Sequence, residues 1–254
     1  RRSESSLYAK YDKASANTSP YDVMHTILNY VGGDTWKTAG QWIEWEFTVP
    51  EDGYYNIMVK ARQNYARGNV SCRSLYIDGE IPFAEMQEVF FDFSNDWNSL
   101  TLADEEGAPY EFYLTEGTHT IRLEATLGGL GTILSQLSES SYRLNQMYRK
   151  ILVYTGASPD KYRDYHIESV YPEVVAAMDI ESKRLFKMVD DTVAYTGQKN
   201  EYITTAQTIA NQMEKFVERP EKITVEFTTW KDNITAIGTS ILSMSEIKLD
   251  VDYL

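Results

Sequence analysis

The last seven residues, Lys248–Leu254 ("KLDVDYL"), set the strongest constraint on the fold. Leu249, Val251 and Tyr253 alternate with Asp250, Asp252 and Leu254, the period of a half-buried strand. More than a hundred residues of helical pattern stand between this tail and the nearest earlier strand pattern. A lone terminal strand neither pairs its backbone nor buries a face. The tail must therefore join a sheet begun far upstream, and the helical stretch is expected to be an insertion into that sheet's domain.

The upstream strands are legible by the same alternation. In "GQWIEWEFTVPEDGYYNIMVKA" (40–61), Ile43, Trp45, Phe47 and Val49 share one face, with Trp42, Glu44, Glu46 and Thr48 on the other. "PEDG" (50–53) is turn chemistry, since Pro presets φ and Gly accepts positive φ. The alternation resumes with Tyr55, Ile57, Val59 and Ala61 inward, leaving Trp42 and Tyr54 on the outer face. "SLYID" (74–78) runs into Asp78-Gly79, a tight-turn signal. "YEFYL" (110–114) and "THTIRLEATL" (118–127) complete the set. Short strands with one apolar face each predict an antiparallel sandwich.

After Gly131 the period lengthens to three and four: Ile133, Leu134, Leu137, Leu144, Met147, Tyr148, Ile151 and Leu152 form one stripe. Further helices are expected over roughly 171–196, ended by Gly197, over 200–217, and from Pro220 onward with Phe227, Trp230, Ile234 and Ile237. Four amphipathic helices with short connections predict an antiparallel bundle. Its expected core includes Trp230, Phe227, Met147, Ile151, Leu185 and Met213. The reading is thus mixed α and β: a discontinuous sandwich from 1–128 with 247–254, and a bundle insertion at 129–246. Residues 248–253 are expected to pair with the strand at 118–127.

A chain of 254 residues accommodates both parts. Its net charge of −14 argues against nucleic acid and against an anionic membrane surface. No apolar run is long enough to cross a bilayer. The opening Arg1-Arg2-Ser3 suggests a piece excised from a longer protein. One cysteine, Cys72, excludes an internal disulfide framework.

These segments, among them "GQWIEWEFTVPEDGYYNIMVKAR", "LYIDGEIPFAE", "PYEFYLTEGTHTIRLEATLG" and "DVDYL", resemble the galactose-binding-like jelly-roll sandwich of carbohydrate-binding module families six and thirty-five. With "GGDTWKTAGQWIEWEF", "GGLGTILSQL", "PDKYRDY" and "WKDNITAIGTSIL", the whole chain resembles the N-terminal accessory region of large extracellular solute-binding proteins of carbohydrate ABC transporters. The resemblance implies a carbohydrate ligand, attachment at the cell surface through a parent protein, and periplasmic-binding-type lobes elsewhere in that protein. It also implies a structural calcium with Asp252 as one ligand. The sequence departs from the pattern in lacking a Glu-bearing first strand before Tyr21, which leaves such a site short of oxygens.

Enzyme signatures are missing: there is no G-x-S-x-G and no H-E-x-x-H, and His25, His119 and His166 are far apart in sequence. His119 alternates with core residues and reads as packed or interfacial. Glu44 and Glu46 share a strand face, about 7 Å apart by strand rise, a spacing open to glycoside hydrolysis but simplest as a solvated face. "LGGLGTIL" (127–134) fails as a phosphate loop, with Leu at 134 and no βαβ unit. Rings in polar loops are the better lead, because a ring stacks on a sugar's apolar face while amides and charges meet its hydroxyls. The candidates are Trp36, Arg62, Asn64, Tyr65 and Trp97. Three function classes fit: a non-catalytic sugar-binding accessory module, a structural scaffold, and a glycoside-active enzyme fragment.

Overall fold

The computed structural model describes residues 1–254, apart from the side chain of Glu201. Two compact units emerge: Arg1–Gly128 with Glu246–Leu254, and Gly129–Ser245.

The first unit is built of eleven strands. They are β1 (Ala9–Lys10), β2 (Tyr30–Gly32), β3 (Trp42–Val49), β4 (Gly53–Tyr55), β5 (Met58–Arg62) and β6 (Ser71–Ile77). Then come β7 (Val89–Phe91), β8 (Asn98–Thr101), β9 (Phe112–Leu114), β10 (Gly117–Thr126) and β11 (Asp250–Tyr253). One sheet has the order β1-β2-β11-β5-β8, a second β3-β10-β6-β7, and β4 pairs with β9. All named pairings are antiparallel. The alternation read from the sequence becomes the core: Ile43, Val49, Val59, Leu75, Ile121 and Leu123 are buried in one cluster, with Trp45, Phe47, Tyr55 and Ile57 packed against it.

The chain's return differs from expectation in its partner. β11 pairs with β2 and β5, Val251 lying opposite Val31 and Ala61, and not with β10. The reason is steric: β3 and β6 already occupy both edges of β10. Leu249 and Val251 are nevertheless fully buried. Tyr253, expected inward, is 39% exposed. A register shift between Val251 and Tyr253 turns it off the core face, and the Lys60 ammonium lies 5.1 Å from its ring centre.

The turn after β6 shows its local chemistry plainly. Asp78 and Gly79 both take positive φ (52° and 86°), as a two-residue hairpin turn of this hand requires. Asp78 then reaches the neighbouring strand. Its carboxylate accepts from the Thr120 N–H (2.8 Å) and meets His119 Nδ1 at 2.6 Å, while Nε2 lies 2.8 Å from the Thr115 carbonyl. With acceptors at both nitrogens, the protonated imidazole satisfies the site best.

The second unit contains α1 (Leu130–Thr155), α2 (Ile167–Val170), α3 (Pro172–Thr196), α4 (Glu201–Glu218), α5 (Lys222–Val225) and α6 (Phe227–Ser245). The fourth long helix therefore starts at Phe227; after Pro220 comes only the short turn of α5. The long helix α1 packs on α3 and α6, and α4 packs on the same two, the square arrangement of a four-helix bundle. Met147, Ile151, Leu185, Met213, Phe227 and Trp230 are all buried. Tyr148 stacks on Phe227 at 4.5 Å, and Trp230 meets Phe216 edge-on at 5.6 Å. Polar cross-ties fix the register: Arg143 to the buried Glu181 at 2.6 Å between α1 and α3, and Ser182 to the Ala210 carbonyl at 2.9 Å between α3 and α4.

Two stability tests follow from these cores. Leu249→Ala and Trp230→Ala each remove a fully buried side chain, and chemical denaturation should show losses of about 2–5 and 3–5 kcal/mol respectively. A loss under about 1 kcal/mol would show that the site is not packed. For His119, the hydrogen bond to Asp78, reinforced by Thr115, raises the imidazole above its ordinary 6.5. The stabilisation is therefore complete below pH 6.5 and disappears as pH rises through the raised value. An NMR titration should find the His119 midpoint above 6.5 and shift it back in Asp78→Asn.

A candidate ligand-binding site

At one end of the five-stranded sheet, charged groups from three distant parts of the sequence meet. Arg62 ends β5, Asp250 begins β11, and Asp12 follows β1. Arg62 Nη1 donates to Asp12 Oδ2 at 2.9 Å; Nη2 and Nε donate to Asp250 Oδ2 at 3.0 and 3.3 Å. The Asp250 side chain is fully buried and that of Asp12 nearly so. Tyr65 donates its hydroxyl to Asp250 Oδ1 at 2.9 Å, and the Trp97 indole N–H donates to Asp12 Oδ2 at 3.1 Å. The Trp97 ring also covers a face of the Arg62 guanidinium at 4.5 Å and meets Tyr30 edge-on at 5.6 Å.

The loop holding Tyr65 owes its shape to Gln63. Its buried amide oxygen accepts from the Tyr65 and Ala66 N–H groups (3.0 and 3.1 Å), and its nitrogen donates to the Ala66 and Asn69 carbonyls (3.2 and 2.8 Å). Gly33 makes room for the Tyr65 hydroxyl: a Cβ there would lie 2.5 Å from it, and φ is +63°. Asn29 fixes Asp12 from both sides, accepting from its N–H at 2.8 Å and donating to its carbonyl at 3.0 Å.

The electrostatics follow burial. Burial works against the Asp12 charge, but the Trp97 donor, the Ala14 N–H and Arg62 outweigh it and hold its carboxyl below the usual range. Burial pushes Asp250 up, and Arg62 and Tyr65 only partly oppose that. The Tyr65 phenol is driven far up by burial and then by the Asp250 charge. Burial disfavours the Arg62 cation, yet its two carboxylates raise it overall. The cluster is one guanidinium shared by two carboxylates.

Beside it opens a cleft of about 210 Å³ lined by Arg62, Gln63, Phe90, Asp92, Phe93 and Asn98 among others. Phe90 is 39% exposed, and Asp92 and Asn98 stand exposed at the rim. A larger groove of about 880 Å³ lies along α1 and α3. Arg143 and Arg184 there are both bound to Glu181, and Lys150 to Glu173. Its lining sets Met147, Val153, Val174, Ala177 and Ile180 among charged groups that are largely paired with one another, and it presents no phenylalanine or tryptophan ring.

Arg62, Tyr65 and Trp97, expected from the sequence, are thus brought together. Asn64 is exposed on the same loop. Trp36 is not part of the site: it is fully buried in the sandwich core, its indole donating to the Gln41 carbonyl at 3.0 Å and its ring covered by Arg73 at 4.4 Å. Trp97 is itself only 6% exposed, because its N–H is drawn in by Asp12. Neither ring offers a free face. Asp12, Gln63, Phe90, Phe93 and Asp250 were missed. The signals available were weak: a polar residue just outside each strand end, and a "VFFDF" run whose alternation sets Phe90 opposite Val89 and Phe91.

The residues around Asp252 do not fit a calcium ion. Its carboxylate meets the Lys60 ammonium at 3.3 Å and accepts from the Ser19 N–H at 3.1 Å. Both neighbours are donors where a cation needs further oxygens. Among the described residues no group of three or more His, Cys, Asp or Glu stands ready for a metal. Nor do Glu44 and Glu46 make a catalytic pair: Glu44 is buried against Arg122, at 2.8 Å, while Glu46 is exposed. No described helix is long and apolar enough to cross a membrane.

Removing the Asp250 carboxylate isolates buried donors. Asp250→Ala should cost about 3–5 kcal/mol in chemical denaturation, with Asp250→Asn less harmful because it retains an acceptor. Equal stability of Asp250→Ala and wild type would mean the cluster is not formed in solution.

Comparison with known proteins places the helical unit. Residues 132–245 match the family model described as bacterial solute-binding protein, 4-helix bundle domain. Two cycloisomaltooligosaccharide glucanotransferases of Niallia circulans are similar to part of the chain, at 29% identity over 136 residues and 25% over 144. The matches cover 48% and 53% of this chain but only 13% and 14% of those enzymes. Among solved structures, a family 35 carbohydrate-binding module from Clostridium thermocellum aligns over 47% of this chain and 78% of its own, at 18% identity and a TM-score of 0.33. A Paenibacillus sp. cycloisomaltooligosaccharide glucanotransferase complexed with cycloisomaltoheptaose aligns over 46% of this chain and 14% of its own, at 23% identity and 0.34. The expected resemblance to solute-binding proteins is borne out for the helical unit, which is similar over nearly its whole length to the 4-helix bundle domain of bacterial solute-binding proteins and is joined in one chain to an antiparallel β-sandwich.

Proposed function

We propose that this chain is a non-catalytic accessory module of an extracellular, sugar-handling solute-binding protein, and that its sandwich holds a carbohydrate in the cleft beside Arg62. The observation that carries the reading is the composition of that cleft. Two phenylalanine rings, Phe90 and Phe93, stand with Asp92, Asn98 and the fixed Arg62–Gln63 edge around about 210 Å³. Rings supply a surface for the apolar face of a pyranose, and the polar groups supply partners for its hydroxyls. The match of the helical unit to a solute-binding protein domain supports the wider setting. So does the 29% identity to part of an enzyme named for a glucan-derived product. In that setting the parent protein carries periplasmic-binding-type lobes and attaches the module to the cell surface.

A scaffold role is the second reading. What favours it is the burial of Trp36 and Trp97, two large rings committed to packing. One titration separates the two. With neutral oligosaccharides, wild type should bind with a Kd in the millimolar to micromolar range, about 4–8 kcal/mol. Phe90→Ala and Phe93→Ala should each weaken binding about tenfold or more with the circular dichroism spectrum unchanged. Binding that survives both changes moves the site elsewhere, and no binding to any glycan leaves the scaffold.

A further inference from the structure

We infer that the cleft beside Arg62 selects an uncharged glycan and turns away hexuronic acids. The inference rests on the carbohydrate-binding reading and specifies its ligand.

A site for a sugar carboxylate needs a cation with unshared donors, best a guanidinium edge that grips both oxygens. Among the described residues Arg62 is the one basic residue lining the cleft, and three of its five N–H donors are committed to carboxylates. Nη1 serves Asp12 at 2.9 Å, while Nη2 and Nε serve Asp250 at 3.0 and 3.3 Å. Trp97 covers one of its faces at 4.5 Å. One cation between two carboxylates leaves a net negative charge, and Asp92 in the lining adds another. An incoming carboxylate meets like charge, and the lining offers it only neutral donors beyond Arg62, the Asn98 amide and the Ser94 hydroxyl. A sugar hydroxyl meets the opposite situation, since it donates and the rim is rich in acceptors.

The wider field has the same sign. Residues 1–128 and 246–254 hold 11 Lys and Arg against 23 Asp and Glu, a net charge of −12, whereas residues 129–245 hold 13 against 15, a net of −2. The molecule's negative charge is therefore concentrated on the unit that carries the cleft, and it disfavours anionic ligands at long range. Arg67 is the residue on which a different outcome would turn. It is exposed, and its guanidinium lies 5.8 Å from the Phe93 ring centre.

The test is calorimetric titration of the full chain with neutral gluco-, galacto- and manno-oligosaccharides and with matched glucuronic and galacturonic acid oligomers, at low and high salt. The best neutral glycan should bind at least about tenfold more tightly than its uronic acid counterpart. That gap should narrow at high salt, because screening weakens repulsion. Asp12→Asn keeps an acceptor for Trp97 and Arg62 but removes one negative charge, so the neutral-to-acidic affinity ratio should fall several-fold. The wild-type salt series decides the matter even if that variant folds poorly. A uronic acid that binds as tightly as its neutral counterpart, or more tightly, overturns the inference while leaving the carbohydrate reading intact; loss of that binding in Arg67→Ala would locate the cause. Absence of binding to every glycan overturns both.

Discussion

β11 is the middle strand of a five-stranded sheet, and it is made of the last residues of the chain. Without it, β2 and β5 face each other across a gap with unpaired amides and carbonyls, and the buried positions of Leu249 and Val251 are empty. Backbone pairing of buried strands is obligatory. The sandwich is therefore complete only once residues after the helical unit have come back. Helical insertion and sheet closure are one constraint, because the strands before residue 128 leave the central slot open.

Two arginines secure that return by different chemistry. Arg73 is fully buried and is held by carbonyl and hydroxyl oxygens. It donates to the carbonyls of Ile247 (2.9 Å), Cys72 (2.8 Å) and Trp36 (3.3 Å) and to the Ser71 hydroxyl (3.0 Å), with its plane over Trp36. Burial lowers its pKa to about 9, so its charge is retained at neutral pH. It binds the chain just before β11 to the strand β6. Arg62 binds the first residue of β11 to β5 through Asp250. The second contact also forms the floor of the candidate site, so closure of the sheet and assembly of the site share a side chain. The geometry around Arg62 is consequently rigid, with donors and acceptors committed before any ligand arrives.

The same commitment explains why the site differs from the one read off the sequence. A large ring in a polar loop is ambiguous. Trp36 and Trp97 each sit among Gly, Asp and Asn, as a stacking platform would, yet both indole N–H groups found partners inside, the Gln41 carbonyl and the Asp12 carboxylate. A buried donor with a partner stabilises, and the ring follows it inward. Phe90 and Phe93 have no such handle and stand in the cleft lining, within a run that reads as strand. Lys60 beside Asp252 is a similar case. A charge that looks available for a metal is answered by an ammonium 192 positions away in sequence but adjacent across the β5–β11 pairing.

The sequence by itself determined the local periods. Alternation set which side chains of β3, β5 and β10 face the core, three- and four-residue spacing set the bundle stripe, and Asp78-Gly79 set its turn. These follow from backbone geometry within a few residues, so no distant contact can change them without exposing the apolar face. The terminal alternation also required a sheet partner for β11. Which partner it took was decided by tertiary structure, because β10 satisfies its hydrogen bonds with β3 and β6 and only the space between β2 and β5 was vacant. Convergence of Asp12, Arg62, Tyr65, Trp97 and Asp250 was likewise decided there. Their sequence separations reach 238 positions between Asp12 and Asp250, and no local pattern encodes which of the chain's 38 acidic residues will be brought, buried, to one guanidinium.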